Sequence, residues 1–465
     1  MPRVIVSLLA VVIGLVCVAP AAAQLEAPEG LFFAEIPDEI KSLVEQAYVA
    51  SPAEQSAAVG KLAAMGAEAA PAVPYLIQLL SEKIDLTLRV AAVDALAKIG
   101  APAVEATIGG LKAATPEARS SAAEVLKRLA DKQATEPLTA VALSDSSAIV
   151  RDKALAALAA LAASDPTVSE KLLATAQDAA AKAELRGRAI KALGRLAGPA
   201  APVDALVTML ENEEEDIRLR CAAAAALGRS SSVEAVNPLI KALADKKTPV
   251  RLWAAIALNG NSDPAAIAGL IKLLSDENDR VRVRAADGLA AVADPKTIEP
   301  LTKALSDTNA EVRTWAVVGL GNFSDPKVLE PLRTALSDAE PQVRVQAADA
   351  LGRTRDPKAT ALLVGTLNKF SEEIEVRCAA ARALGTMRDS RAVPTLIGLL
   401  RDNDATLRRW AASALGRIGD ARAVEPLVAA LDDSDATVKA WVLKALARFD
   451  DPRAKAAVQA AGPAS

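Results

Sequence analysis

The sequence predicts an all-α chain, an α-solenoid built from about thirteen stacked helix–turn–helix repeats. Three observations carry the prediction. A basic residue returns at Arg89, Arg119, Arg151, Arg186, Arg220, Arg251, Arg282, Arg313, Arg344, Arg377, Arg408 and Lys439, at intervals of 30 to 35 residues and most often 31. Seven positions after it stands Leu in every copy, and three after it Ala in every copy but the last, where Val442 replaces it. Finally, 52% of the residues are hydrophobic but only 2% aromatic, a composition of small and aliphatic side chains that suits closely packed helices.

In chain order, Arg3 and the apolar run Val4 to Ala19, followed by Pro20 and Ala21 to Ala23, have the layout of a secretory signal peptide cleaved after Ala23. The run is short for a membrane span, and Val16 stands before Cys17 where a lipoprotein signal wants a small residue. The mature chain is therefore expected to be exported, periplasmic or extracellular, with no integral membrane span. Residues 24–36 read as an extended segment, 37–450 as the repeat array, irregular to about residue 215, and 451–465 as a tail or capping helix. A degenerate copy around Gln55 makes the thirteenth repeat.

Within each copy, offsets −1, +3, +4 and +7 from the basic residue form one apolar stripe of a helix, here called B. Upstream lies a second amphipathic stretch, A, such as 294–307 and 325–338. Asp294, Asp325 and Asp356 are placed to cap the A helices, with Pro in the first turn after each. Gly321, Gly352, Gly385 and Gly416, at offset +8, are expected near the end of B, where the chain reverses. One such unit cannot bury its own stripe; stacking can.

The period, the "VR..AA.ALG" helix and the "DP.AVEPL..AL.D" helix look like HEAT repeats, most similar to the short subtype found in phycobilisome bilin lyases. The resemblance covers nearly the whole mature chain. It implies that an Asp six residues before each Arg joins neighbouring units in a structural ladder, through Asp276, Arg282, Asp307, Arg313, Asp338, Arg344, Asp402 and Arg408, with Asp145, Asp245, Asp433 and Glu214 in other copies. The pattern fails at Lys83, Ala113, Ala180 and Ser371.

The resemblance also implies that the outward face of B lines a concave, partner-binding side. On a helical wheel that face centres on +1 and +5, flanked by +2 and +9. All four tryptophans, Trp253, Trp315, Trp410 and Trp441, fall at +2. Two readings stay open, half-covered packing against the adjacent B helix and exposed anchoring of a partner. Leu252, Ile256, Val283, Val318 and Val345 extend an apolar strip beside Trp253 and Trp315. Farther on, Arg353, Arg382, Arg409, Arg417, Lys444 and Arg448 make the same face basic.

Much chemistry is excluded. The chain has no histidine, hence no imidazole base, His-based triad or His metal ligand. It carries no P-loop, no G-x-S-x-G elbow and no cysteine cluster with metal spacing. Asp94, Asp287 and Asp349, at offset +5, stand two or more repeats apart, too far for paired acid–base work. Cys221 and Cys378, five repeats apart, are too distant for a disulfide. A net charge of −4 gives no bias toward nucleic acid. The expectation is a monomeric, non-enzymatic scaffold with no cofactor, binding a protein along the B-helix face. The alternatives are an accessory lyase or chaperone for a pigment, by analogy to the bilin lyases, and a binder of anionic glycan or acidic polypeptide at the basic end.

Overall fold

The computed structural model describes residues 36–82, 84–196, 202–230 and 232–460. The expected signal peptide and nearly all of the expected extended segment after it lie outside the described residues. Among the described residues every regular element is helical, and no helix is long and apolar enough to cross a membrane. The chain divides into two compact units, residues 1–171 and 172–465.

In the first unit the pairs are Asp38–Val49 with Pro52–Met65, Val73–Ser81 with Leu86–Ile99, Val104–Gly110 with Pro116–Leu129, and Thr135–Ser144 with Ala148–Leu161. Gln55 lies in the second helix of the first pair, almost fully buried, and donates its side-chain amide to the Tyr48 carbonyl at 3.1 Å. The later copies carry a cation at this place in the register.

In the second unit the B helices are Ala183–Leu193, Ile217–Ser230, Thr248–Ala257, Asp279–Val292, Ala310–Leu320, Pro341–Thr354, Ile374–Met387, Ala405–Ile418 and Ala436–Leu446. Across both units each Leu at +7 is at most 1% exposed, and each residue at +3 is fully buried. The repeating stripe is the core. With Ala at one of its four places, neighbouring helix axes approach closely.

Pro264–Leu273 and Pro357–Leu367 are single α-helices, but other A segments open with a 3₁₀ turn. Pro295–Thr297 forms a 3₁₀ turn, and the α-helix begins only at Ile298. Pro300 has no N–H to donate back to the turn before it, so α bonding cannot run upstream through that residue. Asp294 caps the turn by accepting from the Lys296 N–H at 2.7 Å, Asp325 does the same for Lys327 at 2.8 Å, and Asp356 caps the α-helix Pro357–Leu367 through the Lys358 N–H at 2.8 Å.

Of the four +8 glycines named from the sequence, Gly321 stands at the end of its helix, directly after Leu320, as the sequence predicts, but the other three do not. Gly352, Gly385 and Gly416 lie inside their helices, and the left-handed residues that end them are Arg355, Arg388 and Gly419. A Cβ on Gly352 would come 2.7 Å from the Ala383 Cβ and 2.8 Å from its Cα; on Gly416 it would come 2.7 Å from Ala445. Gly194 and Gly228 meet Ala226 and Ala257 in the same way. Each +8 glycine thus marks where consecutive B helices touch backbone to backbone, against the Ala at +6 of the next repeat. Pro452–Ala460 closes the described chain as a final helix, with Ala454 fully buried.

Candidate functional site

Where the following repeat offers an acid, the ladder Arg reaches forward to it; Arg89 and Arg151, facing Ala113 and Ala180 at that place in the pattern, donate to the Glu82 and Asp145 carbonyls. Arg251 donates to Asp276 at 2.7 Å, Arg282 to Asp307 at 2.8 Å, Arg313 to Asp338 at 2.7 Å and Arg408 to Asp433 at 2.7 Å; Arg377 pairs with Asp402 at 3.0 Å. In the first unit Arg119 pairs with Asp145 at 2.7 Å. The same Arg usually turns its other terminal nitrogen back to its own repeat, as Arg282 does to the Asp276 carbonyl at 2.9 Å. Each Asp therefore joins two repeats, its carboxylate to the Arg before and its carbonyl to the Arg after. Burial works against ionised Asp276, Asp307 and Asp338, but the guanidinium bonds outweigh it and hold them below the usual carboxylate range.

Where an inter-helix loop is longer, the acid shifts. Arg186 takes Glu215, one residue beyond Glu214, at 2.7 Å. Arg344 takes Glu372 at 2.8 Å together with Glu373, beside Ser371. Arg220 and Arg377, the guanidinium groups entering those repeats, donate Nε instead to the Leu210 and Leu367 carbonyls ten residues back. The ladder is thus spent on holding repeats together, with both Arg220 and Arg377 buried.

In the second unit the outward face is narrower than the wheel predicts, whereas in the first unit Val90, at +1, is 53% exposed. Val283 at +1 is only 5% exposed, and Cys221 and Cys378, also at +1, are buried free thiols whose burial pushes them up to about 11. The reason is the glycine seam. Offset +1 is one heptad before +8 and so lies on the side that abuts the next B helix. The solvent-facing columns are +2, +5 and +9. Ile256 at +5 is exposed; Leu252, Val318 and Val345 are half-buried, as is Arg409, while Arg417, Lys444, Arg448 and Arg353 are exposed. Asp94, Asp287 and Asp349 are each ion-paired, with Lys98, Arg284 and Arg382 respectively.

The tryptophans have unequal surroundings. Trp410 and Trp441 lie with ring centroids 5.9 Å apart, tilted by 46°. The Arg382 guanidinium covers Trp410 at 5.3 Å, and the Lys444 ammonium lies 5.7 Å from Trp441. These contacts satisfy both rings within the chain. Trp315 is half-buried, and Trp253 is 39% exposed. Arg382 sits at +5 of the repeat before Trp410; the matching position before Trp253 is Ala225, too small to reach over a ring. There an open cleft of about 560 Å³ runs beside Trp253, walled by Gly187, Ala222 and Ala225 and edged by Lys191, Arg218 and Arg229. The column counts drew attention to the large residues and missed this cleft, whose signal is a run of small ones. Among the described residues no cluster of acids and cysteines is arranged to hold a metal ion.

Comparison with known proteins agrees with the repeat architecture. Segments 169–259, 236–321, 267–339, 298–374, 330–415, 367–447 and 393–462 each match the family described as HEAT repeats. No curated protein matches the chain in sequence. Among solved structures, that of Kap121p is 15% identical with a TM-score of 0.52, covering 88% of this chain and 53% of its own. Kap121p bound to Ste12p is 16% identical, with a TM-score of 0.53, and the match covers 90% of this chain and 54% of that one. Kap95p, solved in work on RanGDP binding, is 14% identical with a TM-score of 0.55, covering 88% and 61%. The chain spans little more than half the length of these structures, and at such identity the likeness is one of fold.

Proposed function

We propose that this chain, which belongs to the HEAT-repeat family, is an exported, non-enzymatic scaffold that holds a polypeptide partner along the outward face of its B helices. The observation that carries the reading is the tryptophan column. A helical array needs no ring at +2, and most copies have none, yet all four tryptophans stand there. Trp253 and Ile256 are exposed within one turn of each other, and Trp315 is half-buried in the same column. Large amphipathic rings at solvent-facing, repeated positions are the residue type that anchors protein partners. Structures of Kap121p bound to Ste12p and to Pho4p show that a related fold can hold other proteins. Export rests on Arg3, the apolar run after it and the small residues ending at Ala23.

A photo-crosslinking amino acid placed at position 253 or 315 should yield adducts with a protein of the same compartment. The same group at Glu299 or Glu330, exposed on A helices, should not. Adducts from the A-helix positions alone, or from none, would refute the reading. Export predicts that the secreted protein begins at Gln24; recovery of the chain only inside the cell with Met1 intact would remove that part.

A further inference from the structure

The cleft beside Trp253 joins small and apolar walls to a cationic edge. It is built by three consecutive B helices, Ala183–Leu193, Ile217–Ser230 and Thr248–Ala257. Its walls are formed where Gly187, Ala222 and Ala225 withhold side chains from the +1, +2 and +5 positions. Trp253 forms one side, and Ile217, 38% exposed, contributes a second apolar surface. The edge is cationic, with Lys191, Arg218 and Arg229, and none of the described residues lining it is acidic.

The carboxylates nearby are already engaged. Asp216 lies 3.6 Å from Arg218 and accepts its backbone N–H, and Asp245 holds Arg220 at 2.5 Å. Partial desolvation and the neighbouring cation Arg195 both hold the Arg229 guanidinium below its ordinary value.

Shape decides between ligand classes. The cleft is an open trough, so a free small molecule would leave much of its surface in water, whereas small-molecule sites bury most of theirs. A side chain carried on a polypeptide needs only its tip covered, because the remainder of the segment can lie along Leu252 and Ile256 on the same helix. Basic edges around an apolar floor complement an apolar anchor flanked by carboxylates.

We infer that this cleft seats an acidic polypeptide segment by one large apolar side chain against Trp253 and Ile217, with flanking carboxylates held by Lys191 and Arg229. The inference rests on the scaffold reading above and names the chemistry of its partner.

The test is fluorescence anisotropy of the full mature chain with a short fluorescein-labelled peptide of glutamate and glycine bearing one central phenylalanine. Saturable binding should weaken as salt is raised. It should fall by roughly tenfold or more when phenylalanine becomes alanine or glutamate becomes lysine. Trp253→Ala and, separately, Arg229→Gln should produce losses of similar size, while Trp410→Ala should not. Arg229 is exposed, so its substitution keeps the test valid should Trp253→Ala unfold its repeat. Binding indifferent to the peptide's anchor or charge, binding unchanged by both cleft variants, or no binding at all overturns the inference. Loss on Trp315→Ala with both cleft variants silent overturns the cleft yet leaves the scaffold reading standing. That broader reading falls only if the B-face crosslinks are also absent.

Discussion

Asp307→Ala removes the joint between two regular repeats, and its cost can be worked from the atoms involved. Asp307 accepts Arg282 Nε at 2.8 Å and Nη2 at 3.0 Å, and also the Asn309 N–H at 2.8 Å. The two side chains are 14% and 11% exposed. With alanine in place, Arg282 keeps its bond to the Asp276 carbonyl at 2.9 Å and a marginal one to Glu277 at 3.5 Å. Stranding one partner of a buried pair costs about 3–5 kcal/mol, and the residual exposure here points to the lower end, about 3 kcal/mol. Removing both charges with Asp307→Ala and Arg282→Met should cost only about 1 kcal/mol, since no desolvated charge is left behind. Because an array's stability is a sum over neighbours, the loss should be local. Hydrogen exchange is the suitable assay. Amides in Asp279–Val292 and Ala310–Leu320 should exchange roughly a hundredfold faster in the single variant, with the double variant recovering most of the protection. Exchange within about threefold of the parent, or a double variant as damaged as the single, would refute the assignment of the ladder to stability.

Two further outcomes are expected. Gly352→Ala should destabilise by about 1–3 kcal/mol because its Cβ would press on Ala383 backbone. Gly365→Ala, with nothing within 4 Å of the added carbon, should instead stabilise by about 0.5–1 kcal/mol in denaturant titrations, through helix propensity alone. Acid should unfold the array along the ladder. Depressed carboxylates contribute stability that is complete above their unfolded values near about 4 and is lost as pH falls through the lower folded values. At Glu372 burial opposes ionisation, but hydrogen bonds with Glu373, Lys369 and Arg344 bring the folded value to about 2. The chain has no histidine, so thermal midpoints should stay flat between about pH 5 and 8. A transition beginning near pH 6 would mean that some other group controls stability.

The B helices were legible because their register is a count. Leu at +7 returns with every copy and Ala at +3 with every copy but the last, and burial repeats with them. The direction of the outward face was legible less completely. A wheel drawn for one helix places +1 toward solvent, but Gly352 against Ala383 sets a neighbouring helix on that side, which an isolated helix cannot reveal. The A segments all read as single helices because capping Asp and Pro look alike before a 3₁₀ turn and before an α-helix; Pro357–Leu367 is one, whereas in 295–304 the second proline, Pro300, splits the segment. Glu215 was missed in favour of Glu214 because spacing measured along the chain ignores the slack of a longer loop. The Trp column was visible in the sequence, but not the inequality within it. That depends on what the preceding repeat offers, Arg382 over one ring and only Ala225 beside another. The small side chains Gly187 and Ala222 look like ordinary core spacing until three helices are assembled around them.

The joint made by each ladder Asp has a direction, and this bears on how such a chain can change length. Every 31-residue unit carries a donor for its successor and an acceptor for its predecessor, as Asp307 and Arg313 do. A duplicated copy inserted between two others arrives with both halves of the connection already matched. Lengthening by whole copies is therefore cheap, whereas an insertion within a copy forces the acid to a new place, as at Glu372. Shortening is uneven. Loss of units from the C-terminal end uncovers an Arg that has lost its carboxylate, whereas loss from the N-terminal end uncovers an Asp that still caps its own loop. The array should tolerate trimming from its beginning better than from its end, so its copies are interchangeable in sequence but not in the order of their removal.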